Sequence, residues 1–136
     1  VKEYSAPINL SWARDNRTAG IRVPISEPEA KRVENRLAGM DCNPYLGIAA
    51  SLACGYLGIK EELRPSKRQK GEPDEDENQI PRIMGAALDL FDEAEKLHQL
   101  LGADFSRVYS TIKRSEYDEF LQVISPWERE HLLTNV

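Results

Sequence analysis

The sequence lacks the features that mark membrane, secreted and nucleic-acid-binding proteins. No apolar run approaches the ~20 residues that cross a bilayer, and no charged-then-apolar leader follows Val1. The net charge is −5, whereas binding to a phosphate backbone calls for a basic surface. The two cysteines, Cys42 and Cys54, are too few for a disulfide framework or a zinc site. These absences predict a cytoplasmic protein that binds neither membranes nor nucleic acids.

Several signature motifs of common enzyme classes are missing as well. There is no Gly-x-Ser-x-Gly, P-loop or Gly-x-Gly-x-x-Gly pattern, so esterase, P-loop and Rossmann chemistry have no support. His98 falls on an apolar helical stripe and is predicted to be a packed side chain, while His131 has no partner at metal-ligand spacing. With 136 residues, of which 40% are apolar, the chain forms one domain at most.

A charged stripe is the strongest candidate for chemistry. In an extended segment Arg32, Glu34 and Arg36 share one face. Two guanidinium groups beside a carboxylate hold it ionised, and an ionised carboxylate is a good ligand for Mg²⁺ or Mn²⁺. Guanidinium groups also bind phosphate or carboxylate bidentately. On spacing alone, such a stripe on a strand is usually a solvated face with weak cross-strand ion pairs, and that interpretation stays open.

Two arginines upstream strengthen the chemical interpretation. Arg17 stands at a predicted turn, and Arg22 stands between two apolar residues of a predicted strand. Four arginines and one carboxylate from neighbouring extended segments would suit an anionic, metal-bound ligand such as a nucleoside triphosphate.

Three blocks of sequence resemble a known family. They are Asn16–Pro24, Arg32–Arg36, and Asn43–Leu46 with the alanines at 49 and 50. Their order and spacing resemble the C-terminal part of the glutamine synthetase catalytic domain, and the likeness extends over essentially the whole chain, 1–136. The closing segment Ser125–Glu130 resembles in particular the γ-glutamylputrescine (γ-glutamylpolyamine) synthetase branch. The chain is therefore expected to be the C-terminal portion of such a domain, with the upstream part absent.

The resemblance implies an ATP-dependent ligase that requires Mg²⁺ or Mn²⁺. ATP phosphorylates the γ-carboxylate of glutamate, and an amine attacks the acyl phosphate to give an amide. By carry-over, Glu34 is a metal ligand, Arg36 holds the substrate glutamate, Arg22 and Arg32 contact ATP phosphates, and Arg17 contacts the nucleotide and stabilises the transferred phosphoryl group. The complete enzyme is expected to be a homo-oligomer, a dodecamer by resemblance. Since Glu34 alone cannot complete a metal shell, the chain by itself is expected to be inactive.

The identity of the amine is predicted from one position. The segment Glu3–Pro7 resembles a flap in which glutamine synthetase carries a glutamate where this chain has Ser5. A serine supplies no negative charge to ammonium and is no general base at neutral pH. This favours a γ-glutamyl-polyamine ligase over an ammonium-using enzyme, although Glu3 lies two residues away and could restore the carboxylate. The sequence also leaves open a non-catalytic structural homologue and a small independent binding domain.

The fold class is predicted as α+β, with short antiparallel strands at the N-terminal end followed by a mainly helical remainder. Apolar alternation predicts strands through Ile8, Leu10 and Trp12, and through Ile21 and Val23, and the charged stripe predicts one over 31–37. Residues 64–79 carry almost nothing apolar and are predicted to be an exposed, mobile loop.

Cap signals and periodicity predict four helices. They are a helix over 44–60 capped by Asn43, a long helix from Pro81 ending at Gly102, a helix over 105–124, and a last short helix after Ser125. Helical spacing places three sets of residues on inward faces. These are Tyr45, Ile48, Ala49, Leu52, Tyr56 and Ile59; then Met84, Leu88, Phe91, Ala94, His98 and Leu101; then Tyr109, Ile112, Tyr117, Phe120 and Ile124.

Overall fold

The computed structural model describes residue 7, residues 9–71 and residues 79–134. The chain divides into two compact units, Val1–Ile80 and Pro81–Val136. The predicted α+β class is confirmed, because short strands lie near the N-terminal end and helices dominate the rest. The first unit contains β1 (Trp12–Arg14), β2 (Ile21–Val23), a 3-10 helix (Pro28–Ala30), β3 (Glu34–Asn35) and α1 (Pro44–Lys60); the second contains α2 (Met84–Asp92), α3 (Glu95–Leu101), α4 (Ala103–Leu121) and α5 (Pro126–Leu132).

The three strands form one sheet in the order β1-β2-β3. β2 and β3 are antiparallel as predicted, with Arg22 opposite Glu34. β1 and β2 pair in parallel, so the antiparallel prediction is wrong for this pair. Parallel pairing usually needs a long crossover, but a strand of three residues is only about 10 Å long. The six-residue loop 15–20 is therefore long enough to return the chain to the start of β1.

The buried face of β1 differs from the predicted one. Ala13 is buried and Leu10 is exposed, while Ile8 lies outside the described residues. The indole Nε1 of Trp12 donates to the carbonyl oxygen of Ser66 at 2.6 Å. Trp12 is half-buried in a strand as predicted, but it contacts a segment distant in sequence, and the alternation prediction is wrong for Leu10.

Gly20 stands at a close approach between three parts of the first unit. A Cβ there would lie 2.6 Å from the carbonyl oxygen of Asn9 and 2.7 Å from Cδ2 of Leu37. We expect Gly20→Ala to lower the free energy of unfolding by about 1–3 kcal/mol through overpacking, measured by urea denaturation. Gly55, in the middle of α1 with open space around it, is the control. Gly55→Ala should raise that free energy by about 0.5–1 kcal/mol, and equal effects of the two changes would contradict the assignment.

The strand predicted over 31–37 is shorter than expected. Only Glu34–Asn35 forms ladder pairs with β2, and Pro28–Ala30 forms a 3-10 helix before it. Proline fixes φ and lacks an N–H, which favours this tight turn over an extended entry into the strand. Arg32 and Arg36 therefore flank β3 and do not lie within it.

The start of α1 is confirmed, but its predicted inward face is wrong. The side-chain oxygen of Asn43 accepts from the amides of Tyr45 (3.0 Å) and Leu46 (3.4 Å), and Pro44 is the first helical residue. The less exposed line of the helix is formed by Leu46, Ala50, Ala53 and Leu57. Because α1 is apolar around most of its circumference, periodicity does not single out one face. The residues predicted to face inward are mostly exposed: Tyr45, Ile48, Ala49, Leu52, Tyr56 and Ile59.

Residues 64–71, here called the strap, form a loop that is exposed at every position except Gln69, as predicted, and hydrogen bonds attach this loop to the sheet and to the loop 15–20. The amide of Gln69 donates to the carbonyl oxygen of Trp12 at 3.0 Å, and the Asn16 side chain donates to the carbonyl oxygen of Gly71 at 2.7 Å. The strap is held by hydrogen bonds of polar residues and not by burial of apolar surface. The polar composition of the segment therefore gave no sign of this attachment. The acidic run 72–77 lies outside the described residues.

In the second unit the helix predicted from Pro81 to Gly102 is two helices, α2 and α3, separated at Glu93 and Ala94. The end at Gly102 is confirmed, with a φ of 96° that favours glycine. The Phe91 ring packs against His98, with 4.9 Å between ring centroids, and against Tyr109 at 5.6 Å. The apolar periodicity of the sequence continues through residues 93 and 94, so the sequence pattern does not show that α2 ends there. The break lets Phe91 of α2 pack against residues of α3 and α4.

The faces of α4 are set by its contact with α2. The small side chains of Ser106 and Ser110 are buried, whereas Ile112 and Phe120 are exposed, contrary to the prediction. Ile124 falls after the helix and is exposed. Small residues let two helices approach closely, which apolar periodicity does not register.

Ion pairs and a cap complete the second unit. The Arg114 guanidinium Nη2 lies 2.8 Å from Oδ1 of Asp89 and 2.6 Å from Oδ2 of Asp92, so it links α4 to α2. The predicted capping box of α5 is confirmed, with Ser125 and Glu128 each bonded to the other's backbone amide. Among the described helices none is both long and apolar enough to span a bilayer.

Candidate functional site

The pairing of β2 with β3 brings an arginine and a glutamate from the predicted site together. Nη1 of Arg22 lies 2.8 Å from Oε2 of Glu34, and Nη2 of Arg32 lies 3.0 Å from Oε1 of the same carboxylate. Each carboxylate oxygen therefore accepts from a different guanidinium group. The alternating stripe predicted Arg32 beside Glu34, and the register of the sheet adds Arg22.

Asp15 is a further member of this group, and sequence reasoning missed it. Its Oδ1 accepts a short hydrogen bond from Nη2 of Arg22, so Arg22 is held between two carboxylates. Asp15 adopts a positive φ of 53° at the end of β1, and its amide donates to the carbonyl oxygen of Val23 at 3.0 Å. The sequence pattern predicted only a turn at Asp15, and its place seven positions before Arg22 was the available signal. Arg22, Arg32, Glu34 and Asp15 are here called the ion-pair cluster.

The electrostatics of the ion-pair cluster keep Glu34 charged. The side chains of Arg22 and Glu34 are only 15% and 26% exposed. The hydrogen bond from Arg22 lowers the pKa of Glu34, although partial burial opposes the shift. Conversely, the hydrogen bonds to Glu34 and then Asp15 raise the pKa of Arg22. Glu34 is therefore an ionised oxygen donor at neutral pH.

A titration tests this arrangement. We expect the Glu34 carboxyl to titrate below its ordinary pKa of 4.5. Carbon-13 NMR of the folded chain across a pH series is the measurement. Because the folded pKa is the lower one, the ion pairs stabilise the fold above the unfolded pKa, and that contribution is lost as pH falls through the folded pKa. Arg22→Gln should raise the pKa of Glu34, whereas Arg14→Gln should not. An unchanged Glu34 titration in Arg22→Gln would refute the assignment.

Arg36 follows β3 directly and is half-buried. Its amide donates to the carbonyl oxygen of Gly20 at 2.9 Å, which fixes its backbone beside β2. The neighbouring Asn35 donates through Nδ2 to the Ser51 hydroxyl at 2.9 Å. The sheet edge is therefore tied to α1 next to the predicted substrate-binding arginine.

Arg17 lies outside the ion-pair cluster. It is exposed in the loop 15–20, between Asn16 and Thr18. Within the described part of the chain no carboxylate forms a salt bridge with it. The structure thus brings Arg22, Arg32 and Glu34 together and places Arg17 on the loop that precedes β2.

Glu34 is the one predicted metal ligand. Over residues 7, 9–71 and 79–134, no three His, Cys, Asp or Glu side chains form a group that could hold a metal ion. An ionised carboxylate offers about four lone-pair positions, and Glu34 uses two oxygens for its arginine partners. The chemistry of Glu34 therefore fits one ligand position of Mg²⁺ or Mn²⁺, which prefer oxygen donors.

Comparison with known proteins gives a consistent set of matches. Residues 1–132 match the glutamine synthetase catalytic domain. The chain is 38% identical over 137 residues to a glutamine synthetase of Methanocaldococcus jannaschii, covering 94% of this chain and 30% of that protein. It is 36% identical over 130 residues to γ-glutamylputrescine synthetase of Escherichia coli, covering 95% and 28%. It is also 36% identical over 124 residues to a glutamate–isopropylamine ligase of a Pseudomonas species, covering 88% and 27%. The chain spans about three-tenths of the length of these curated relatives.

Proposed function

This chain belongs to the glutamine synthetase catalytic-domain family, and from that premise we propose that it is part of an ATP-dependent ligase joining the γ-carboxylate of glutamate to an amine. The observation that carries the proposal is the ion-pair cluster, in which one ionised carboxylate is held between a guanidinium group of β2 and one of the segment that leads into β3. Phosphoryl transfer is catalysed mainly by positioning and by neutralising charge. A fixed carboxylate beside fixed guanidinium groups supplies donors for both tasks.

Each charged residue has a proposed role. Arg22 and Arg32 bind ATP phosphates, Glu34 provides one metal ligand, Arg36 holds the carboxylate of glutamate, and Arg17 stabilises the transferred phosphoryl group. A divalent metal, when bound, neutralises phosphate charge during the transfer. Because Arg22 is held by two carboxylates, its guanidinium plane is oriented before the nucleotide arrives.

A non-catalytic structural homologue is the second candidate. Its support is that Glu34 already has both oxygens engaged by arginines, as in a purely structural ion pair. The low exposure of Arg22 and Glu34 speaks against it, since burying charge is costly and a scaffold has no need for it. The exposed arginine at position 17 likewise has no structural task among the described residues.

The direct test is amide synthesis by the complete ligase that contains this chain. Glutamate, an amine and Mg·ATP should yield ADP, phosphate and a γ-glutamyl amide, and omission of glutamate should abolish phosphate release. Absence of product with every amine tried would favour the structural homologue. The cytoplasmic location, the homo-oligomeric state and the inactivity of the isolated chain stay predictions.

We expect the complete ligase to prefer a polyamine such as putrescine or spermidine over ammonium. The reason is Ser5, which cannot act as a base toward bound ammonium; Ser5 and Glu3 lie outside the described residues. Turnover should be compared at saturating glutamate and ATP with ammonium, putrescine, spermidine and ethanolamine. Ser5→Glu should raise the share of ammonium turnover, and a clear preference for ammonium in the unchanged enzyme would overturn the assignment.

A further inference from the structure

We infer that Gln69, in the strap, is a positioning residue for Arg17. This inference rests on the proposed function, in which Arg17 acts on the transferred phosphoryl group. Gln69 is remote in sequence from every residue assigned a role above, and nothing in its own sequence context indicates a site. The inference comes from the hydrogen bonds that connect the strap to the loop 15–20.

The turn that carries Arg17 is closed by its two neighbours. Oδ1 of Asn16 accepts from the amide of Thr18 and from the Thr18 hydroxyl, both at 2.9 Å. This local bridge spans Arg17 and fixes the backbone on both sides of it. Because the Arg17 side chain is exposed and without a salt bridge to a described carboxylate, its direction depends chiefly on that backbone.

Gln69 completes the bridge into a ring. Its Nε2 donates to the Thr18 hydroxyl oxygen at 3.2 Å and to the carbonyl oxygen of Gly71 at 2.9 Å. The same carbonyl oxygen accepts from Nδ2 of Asn16 at 2.7 Å. The closed ring therefore runs through Asn16, Thr18, Gln69 and Gly71, with Arg17 inside the span of the first two.

The other groups of Gln69 tie this ring to β1. Its Oε1 accepts a short hydrogen bond from the Ser11 hydroxyl, and its amide donates to the carbonyl oxygen of Trp12 at 3.0 Å. Both the nitrogen and the oxygen of the side-chain amide are thus hydrogen-bonded. Gly71 has a φ of 80°, a conformation that glycine adopts at no steric cost.

The consequence is that Gln69 links the Thr18 side of the Arg17 turn to β1 and so to the sheet bearing Arg22 and Glu34. Without Gln69, the bond from Asn16 to the Gly71 carbonyl oxygen would still join the turn to the strap, but the Thr18 side of the turn would lose its link and could move relative to the sheet. Since a displacement of about 1 Å can cost roughly a hundredfold in rate, loss of this anchor should affect the chemical step more than nucleotide affinity.

The first measurement needs no enzymatic activity. Gln69→Met keeps the size of the side chain and removes its hydrogen bonds. In the chain itself, amide hydrogen exchange at Thr18 should accelerate at least ~10-fold, while exchange at Arg22 should change much less. Gln99→Met, at an exposed position of α3, is the matched control. Unchanged exchange at Thr18, or equal acceleration throughout the first unit, would refute the positioning role.

The second measurement uses the complete ligase. Gln69→Met should lower kcat about 10–100-fold with KM for ATP within about threefold of the unchanged enzyme. In an Arg17→Ala background the same change should have almost no further effect, because the residues act as a unit. Independent losses in the double variant, or a normal kcat in Gln69→Met, would overturn the inference.

Thr18→Val breaks the ring from the other side and replaces Gln69→Met if that variant fails to fold. If the unchanged enzyme is inactive, the proposed function is refuted. The exchange experiment still decides the role of Gln69 in that case.

Discussion

Glu34→Gln is expected to lower turnover of the complete ligase by roughly 10²–10³-fold. The amide is nearly isosteric with the carboxylate, but its single oxygen can accept from only one of Arg22 and Arg32, its NH2 group faces the other guanidinium, and it carries no charge for a divalent cation. The concentration of Mg²⁺ or Mn²⁺ needed for half-maximal turnover should also rise, because one ionised ligand is lost. Turnover measured across a series of metal concentrations tests both expectations.

The control for Glu34 is Glu29, an exposed glutamate of the 3-10 helix that precedes β3. Glu29→Gln should leave turnover and metal dependence unchanged. Unfolding of both variants in urea separates a loss of fold from a loss of chemistry. Near-normal turnover with an ordinary metal requirement in Glu34→Gln would rule out Glu34 as a ligand and leave the cluster as a structural ion pair.

Arg17→Ala is expected to lower kcat of the complete ligase by about 10³-fold, the lower end of what a phosphoryl-stabilising arginine contributes. KM for ATP should change little, since an interaction made mainly in the transition state acts on the chemical step. Arg17→Lys should recover only part of the loss, because an ammonium group lacks the planar pair of donors. Steady-state kinetics with ATP as the varied substrate provide the measurement.

Arg14 is the matched control for Arg17. It lies three residues earlier, at the end of β1, and is also exposed. Arg14→Ala should leave kcat unchanged. If instead both variants lost activity through a higher KM, the two arginines would act together as general positive charge for nucleotide binding, and the specific role of Arg17 would be wrong.

Local signals in the sequence predicted several elements correctly. β2, the Asn43 cap of α1, the end at Gly102 and the capping box at Ser125 are all confirmed. Each depends on residues within about four positions of one another, so the physical cause is contained in a short window. The family was also predicted from motifs in fixed order, and the match over residues 1–132 confirms it.

The site was predicted only as far as its residues lie in one segment. The alternating stripe placed Arg32 beside Glu34, and their ion pair is present. The partnership of Arg22 with Glu34 depends on strand register, and that of Asp15 with Arg22 depends on the parallel pairing of β1 with β2. Neither can be derived from spacing, because the loops that set direction and register were predicted only as turns.

The sequence by itself therefore determined the family, the α+β class, the caps and which charged residues were present to form a site. The tertiary structure decided which of them meet, which face of α1 is covered, where α2 ends and how the strap is attached through Gln69. The physical reason is that caps and turns are formed by neighbours along the chain, whereas ion pairs, buried faces and polar bridges are chosen among partners brought together by folding, and several partners of equal chemistry were present in this sequence.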